Sequence, residues 1–158
     1  GICRLSFRNL WIAMGFFENA GGTGTKDHEK FSEYLRHVEI DRWDELPPAV
    51  RHRVQQWYKP KQGERFLAYI PDRTRRRSED GMAGLVVSSS RLIYNRPPLY
   101  YEVPNGTAFT VMVRRGEGSE VATINAPDLK PRSITCDRRG IMLFRRSLSE
   151  GRFQAKWA

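Results

Sequence analysis

The sequence predicts a mostly-β fold of the α+β class: an antiparallel barrel or two-sheet sandwich with a C-terminal helix and an N-terminal helical extension. Three observations carry this. From Arg65 onward the apolar residues recur with a period of two. The runs are short and are separated by Gly, Pro, Asn and Ser, the residues that turns require. The stretch 82–115 (MAGLVVSSSRLIYNRPPLYYEVPNGTAFTVMVRR) holds the densest β-branched and apolar content of the chain.

The strands are expected at 65–70, 83–88, 91–95, 99–103, 107–115, 120–126, 132–136 and 140–146. Ser88-Ser89-Ser90 separates the second from the third, and Pro97-Pro98 the third from the fourth. Asn105-Gly106 predicts a type I′ hairpin joining 99–103 to 107–115, because that turn needs φ > 0 at both central residues. Asp137-Arg138-Arg139-Gly140 reads as a turn before the eighth strand. Ser147-Leu148-Ser149-Glu150 reads as a capping box opening the final helix.

The N-terminal part, residues 1–61, reads as a helical extension, and 62–158 as the β domain. Residues 1–20 fit a strand, an amphipathic helix or a docked strip equally. Gly21-Gly22-Thr23-Gly24-Thr25 reads as a linker. It is no phosphate loop, because the Gly-Lys-Ser/Thr succession is missing and Asp27 would repel a phosphate. Phe31, Tyr34, Leu35 and Val38 lie at i, i+3, i+4 and i+7, predicting a helix over 27–38. A second short helix is expected from Pro47-Pro48, with Val50, Val54 and Trp57 on one side and Pro60 as its stop.

The net charge of +9 is uneven: residues 1–64 hold 10 basic and 9 acidic side chains, residues 65–158 hold 17 and 9. An anionic partner would therefore meet the β domain first. Cys3 and Cys136 form no metal or redox spacing and read as reduced thiols, which points to the cytoplasm. The longest apolar run, 10–17, is too short to span a bilayer. The chain opens on Gly1 and so reads as an excised or processed piece; what precedes it, any membrane anchor included, is not in this sequence, and the expected place is the cytoplasm or a membrane surface facing it.

No catalytic set, metal set or cofactor motif emerges. His28 lacks a second histidine four residues on, where Ser32 stands, and His28, His37 and His52 share no ligand spacing. Cys136 reads as packing. The expectation is a protein without enzymatic activity and without a cofactor.

The run Gly84-Leu85-Val86-Val87-Ser88-Ser89-Ser90-Arg91-Leu92-Ile93-Tyr94, a strand ending in small hydroxyl residues followed by Arg and apolar residues, resembles bacterial pleckstrin-homology-like (PH-like) domains. The resemblance covers about 62–158 and implies a meander of seven or eight strands closed by a C-terminal helix. Here Ser stands where the family has Thr before the Arg, and the final helix would be short and contain Gly151. The resemblance also implies that the loop after the first strand can grip a phosphate-bearing headgroup. In this chain that loop carries Arg73, Arg75, Arg76 and Arg77, whose guanidinium forks suit phosphate oxygens. Its plainer reading is a solvated loop partly offset by Asp72, Glu79 and Asp80. The expected function is a non-catalytic binding or assembly module, with a protein partner, a second copy of the chain or an anionic headgroup as ligand. The alternative is a basic nucleic-acid-binding β module using Arg114, Arg115, Arg138 and Arg139 with Tyr100 as a stacking surface.

Overall fold

The computed structural model describes residues 43–158, which lie within one compact unit, Glu39–Ala158. The glycine-rich linker and the helix expected over 27–38 lie outside the described residues. Eight strands form two four-stranded sheets. The first holds β1 (Phe66–Pro71), β2 (Gly84–Ser88), β3 (Arg91–Arg96) and β4 (Leu99–Pro104), paired in that order and all antiparallel. The second runs β7 (Arg132–Cys136), β6 (Glu120–Asn125), β5 (Phe109–Arg115) and β8 (Ala155–Trp157), with β8 parallel to β5. The sheets do not close into a barrel, so the two-sheet form is the one observed. Seven of the expected strands form within a residue or two of their expected bounds.

The core lies between the sheets. Ala68 and Ile70, Leu85 and Val87, Leu92 and Tyr94, and Tyr101 and Val103 face Phe109 and Val111, Ala122 and Ile124, and Ile134 and Cys136. Helix α2 (Arg138–Glu150) adds Ile141, Leu143, Phe144 and Leu148 to the same core. The outer face of the first sheet is covered too. Tyr69, Val86 and Ile93 are buried but outside the main core, as are Val50 and Val54 of helix α1 (Pro48–Val54), Leu46 and Tyr58. Ring contacts of Trp43 and Tyr58 with Phe66, and of Trp57 with Tyr69, hold this N-terminal strip on the sheet. Burial on both faces explains why β2 and β3 read as continuous apolar runs rather than alternating ones.

Four expectations are corrected. Residues 140–146 are not a strand: they belong to α2, whose N-cap Asp137 accepts a hydrogen bond from the Gly140 N–H at 2.9 Å. The apolar run permitted both readings, and burial of Ile141, Phe144 and Leu148 at i, i+3 and i+7 selects the helix. Accordingly 137–140 is a helix start, not a turn between strands, and Ser147–Glu150 ends the helix rather than opening one. Asn105-Gly106 does not close a hairpin: β4 pairs with β3, and β5 with β6 and β8. Of the two turn residues only Gly106 has positive φ, +103°, so the type I′ geometry is not met. The Asn105 side-chain amide instead donates to the carbonyls of Ser89 and Gly151, making the corner where the chain leaves one sheet for the other. The fourth correction is β8, a parallel edge strand in a sheet expected to be antiparallel throughout. The Phe109 N–H donates to Gln154 O at 3.0 Å and the Ala158 N–H to Val111 O at 2.9 Å.

A candidate anion-binding rim

The β1–β2 loop is built on Asp72, which is buried. Its carboxylate accepts from the Thr74 N–H at 2.9 Å and the Thr74 hydroxyl at 2.7 Å, the local bonding that turns a loop back on itself. Arg75 points inward: its Nε donates to Asp80 at 2.6 Å and its Nη1 to the Asp72 carbonyl at 2.9 Å, leaving the side chain 3% exposed. Arg96, at the end of β3, donates to both Glu79 oxygens, at 3.0 and 3.2 Å, and to Thr74. Hydrogen bonds from Arg96 and from the Arg76 backbone hold the Glu79 carboxyl down at about 2. From beneath, Arg53 donates to the carbonyls of Ser78 and Asp80, and the Trp57 indole to that of Gly81 at 2.8 Å. The loop is therefore a fixed scaffold, with Arg73, Arg76 and Arg77 on its exposed side.

Strand register brings a second set of arginines to the same end. The Arg73 N–H donates to Thr135 O at 2.7 Å, and its guanidinium to Gly118 O, in the β5–β6 turn, at 3.1 Å. Thr135 stands opposite Val121, and Val121 opposite Arg114. Three strand spacings thus separate Arg73 from Arg114, roughly 14 Å. Cys136 stands opposite Glu120, and Glu120 opposite Arg115; Arg138 and Arg139 follow two residues past Cys136. Arg73, Arg114, Arg115, Arg138 and Arg139 are all exposed at this end of the second sheet, an arginine rim from which Arg114 and Arg115 leave β5 on opposite faces. Three acids lie at this end against five arginines: Glu117 in the β5–β6 turn, Glu120 and Asp137. Glu120 stands 3.9 Å from an Arg115 side chain that is 82% exposed, and Asp137 is engaged as the helix cap. Arg138 and Arg139 also occupy the first turn of α2, directly after the capping Asp137, where the positive end of the helix dipole disfavours cations.

Tyr100 does not join this rim. It is 50% exposed on β4, and the charges acting on its phenol are Glu102 and Arg91 on the first sheet and Glu64 just before β1. Arg145-Arg146 is legible in the sequence as a third arginine pair beside Arg114-Arg115 and Arg138-Arg139, but the strand period over 140–146 puts it on a sheet; at 3.6 residues per turn the pair shares a face with Arg138 and Arg139. Arg96 escaped because its role depends on packing against a loop 22 residues earlier.

A groove of about 440 Å³ lies between Ala108–Thr110, Asn125–Pro127, Gln154 and Lys156, and Lys156 is the ionisable side chain lining it. Among the described residues no His, Cys, Asp and Glu side chains assemble into a metal-ligand set, and no helix is long and apolar enough to cross a membrane. No family model matches the chain, and no curated protein or solved structure matches it either.

Proposed function

We propose that the chain is a non-catalytic, PH-like binding module that holds a phosphate-bearing anionic headgroup at the arginine rim. The observation that carries this is convergence. Arg73 and the arginines of β5 and α2 are far apart in sequence, yet strand register brings them to the same end of the second sheet. The layout supports the PH-like reading: a four-stranded antiparallel meander, then three more antiparallel strands, then a helix packed on the core. Two features are this chain's own, β8 and the N-terminal strip over the first sheet. The Ser-rich motif has a structural use here, since the hydroxyls of Ser88 and Ser90 and the Arg91 guanidinium all bond Glu64.

The test uses a soluble inositol polyphosphate as the headgroup. The protein is expected to bind it, and the triple variant Arg73→Ala/Arg114→Ala/Arg138→Ala to lose more than a hundredfold in affinity. At about 1 kcal/mol for each guanidinium near an anionic surface, three account for that loss. Arg75 is left in place because it braces the loop. No binding by the wild-type protein, together with oligomers on a sizing column, would leave assembly with a second copy or a protein partner as the reading.

A further inference from the structure

We infer that the solvent face of α2 is a bilayer-docking surface that lays the helix on an anionic membrane. This rests on the rim reading and names where its headgroup is met. At 100° per residue, Arg138, Arg139, Met142, Arg145, Arg146, Ser149 and Glu150 fall within an arc of about 140°. Met142 and Ser149 lie near the middle of the arc, Arg138 and Arg145 on one flank, Arg139 and Arg146 on the other. All seven are exposed, whereas Ile141, Leu143, Phe144, Ser147 and Leu148 are buried.

Met142 is 64% exposed, more than any other large apolar side chain among the described residues. A long apolar group between two arginine pairs fits an interface that is anionic at its surface and apolar just beneath. The carboxylate of the N-cap Asp137 is engaged with the Gly140 N–H, no acid occupies the first turn, and the two arginines there oppose the dipole. Glu150, 3.8 Å from Arg146, is the single acid of the helix. A nucleic acid fits this face less well. Its aromatic neighbour, Trp157, is covered by the Arg145 guanidinium 4.6 Å from the ring centre and packs edge-on to Phe144, so that ring is not free for a base to stack on. The helix is about 20 Å long, and Arg138 and Arg139 belong to both face and rim, so the two surfaces are continuous.

The experiment compares cosedimentation with phosphatidylcholine vesicles, with and without phosphatidylserine, for the wild type, Met142→Asp and Met142→Leu. The wild type is expected to bind only vesicles containing phosphatidylserine. Met142→Asp should bind them at least tenfold more weakly, because it loses apolar insertion and adds a like charge to the surface. Met142→Leu should restore binding, and all three should bind soluble inositol polyphosphate equally. Equal vesicle affinity for Met142→Asp and the wild type overturns the docking face and leaves the rim reading standing. So does a wild type that binds the soluble headgroup but no vesicle. A wild type that binds a mixed-sequence oligonucleotide and no vesicle overturns the bilayer in favour of nucleic acid. Loss of soluble-headgroup binding by the wild type counts against the rim instead.

Discussion

Glu64→Ala is expected to destabilise the fold by about 3–5 kcal/mol, the usual cost of removing one partner from a buried ion pair. The Glu64 side chain is 1% exposed and accepts from Arg91 Nε at 2.9 Å, from Ser88 and Ser90 hydroxyls and from the Lys61 N–H at 2.8 Å. Arg91 in turn donates to Glu102 at 3.0 Å and to the Lys59 carbonyl at 2.8 Å, and lies over the Tyr58 ring. The carboxylate thus ties the N-terminal strip to the β2–β3 turn. Urea unfolding checks the effect, with a lower midpoint at unchanged slope. Burial alone would raise the carboxyl of Glu64, but the donors from Arg91, Ser88, Lys61 and Ser90 outweigh it and hold it at about 2. A depressed carboxyl stabilises the fold above its ordinary value near 4.5 and loses that contribution as pH falls towards 2. The shift corresponds to about 3 kcal/mol. The stability gap between the wild type and Glu64→Gln should therefore narrow between pH 4.5 and 2; a gap unchanged at pH 3 would refute the assignment.

Phe144→Ala should cost a similar 3–5 kcal/mol, through lost burial and the cavity left behind. Phe144 is fully buried, edge-on to Trp157 with ring centres 5.4 Å apart. Its neighbour two residues back supplies the control. On a strand Met142 and Phe144 would share a face, whereas on α2 they stand on opposite faces. Met142→Ala is expected to change stability by less than about 0.5 kcal/mol. Equal losses at both positions would mean that this segment is not the helix described.

The first seven strands were legible because alternation and turn residues agree locally, from the first strand near Arg65 to Cys136. The helix was not, since Gly140-Ile141-Met142-Leu143-Phe144 is too short a run to show its period, and Gly140 argues against helix. The decisive signal was Asp137, which serves equally as a turn residue and as an N-cap. The Asn105-Gly106 turn misled because its composition fits a hairpin, while the partner choice of β4 was settled by Pro97-Pro98 on its other side. Arg73 and the paired arginines at 114–115 and 138–139 were legible as residues but not as one site. Their meeting depends on Thr135 pairing with Arg73 across 62 residues of sequence, a long-range register that no local pattern encodes.

The place of β8 has a consequence for how the protein is made. Among the described residues, the edge of β5 away from β6 is paired by residues 155–157, which leave the ribosome about forty residues after β5 itself. At 5–20 residues per second, that edge stays open for about 2–8 s. For that interval the nascent chain carries an unpaired strand bearing Phe109, Val111 and Val113, the kind of template on which a second chain can add. A chain stopped at Gly151 should keep this edge permanently and elute as dimers or larger species, while the full chain at the same concentration should not. Equal elution of the two would place the hazard elsewhere. A three-residue strand beyond α2 is thus what retires this edge of the second sheet.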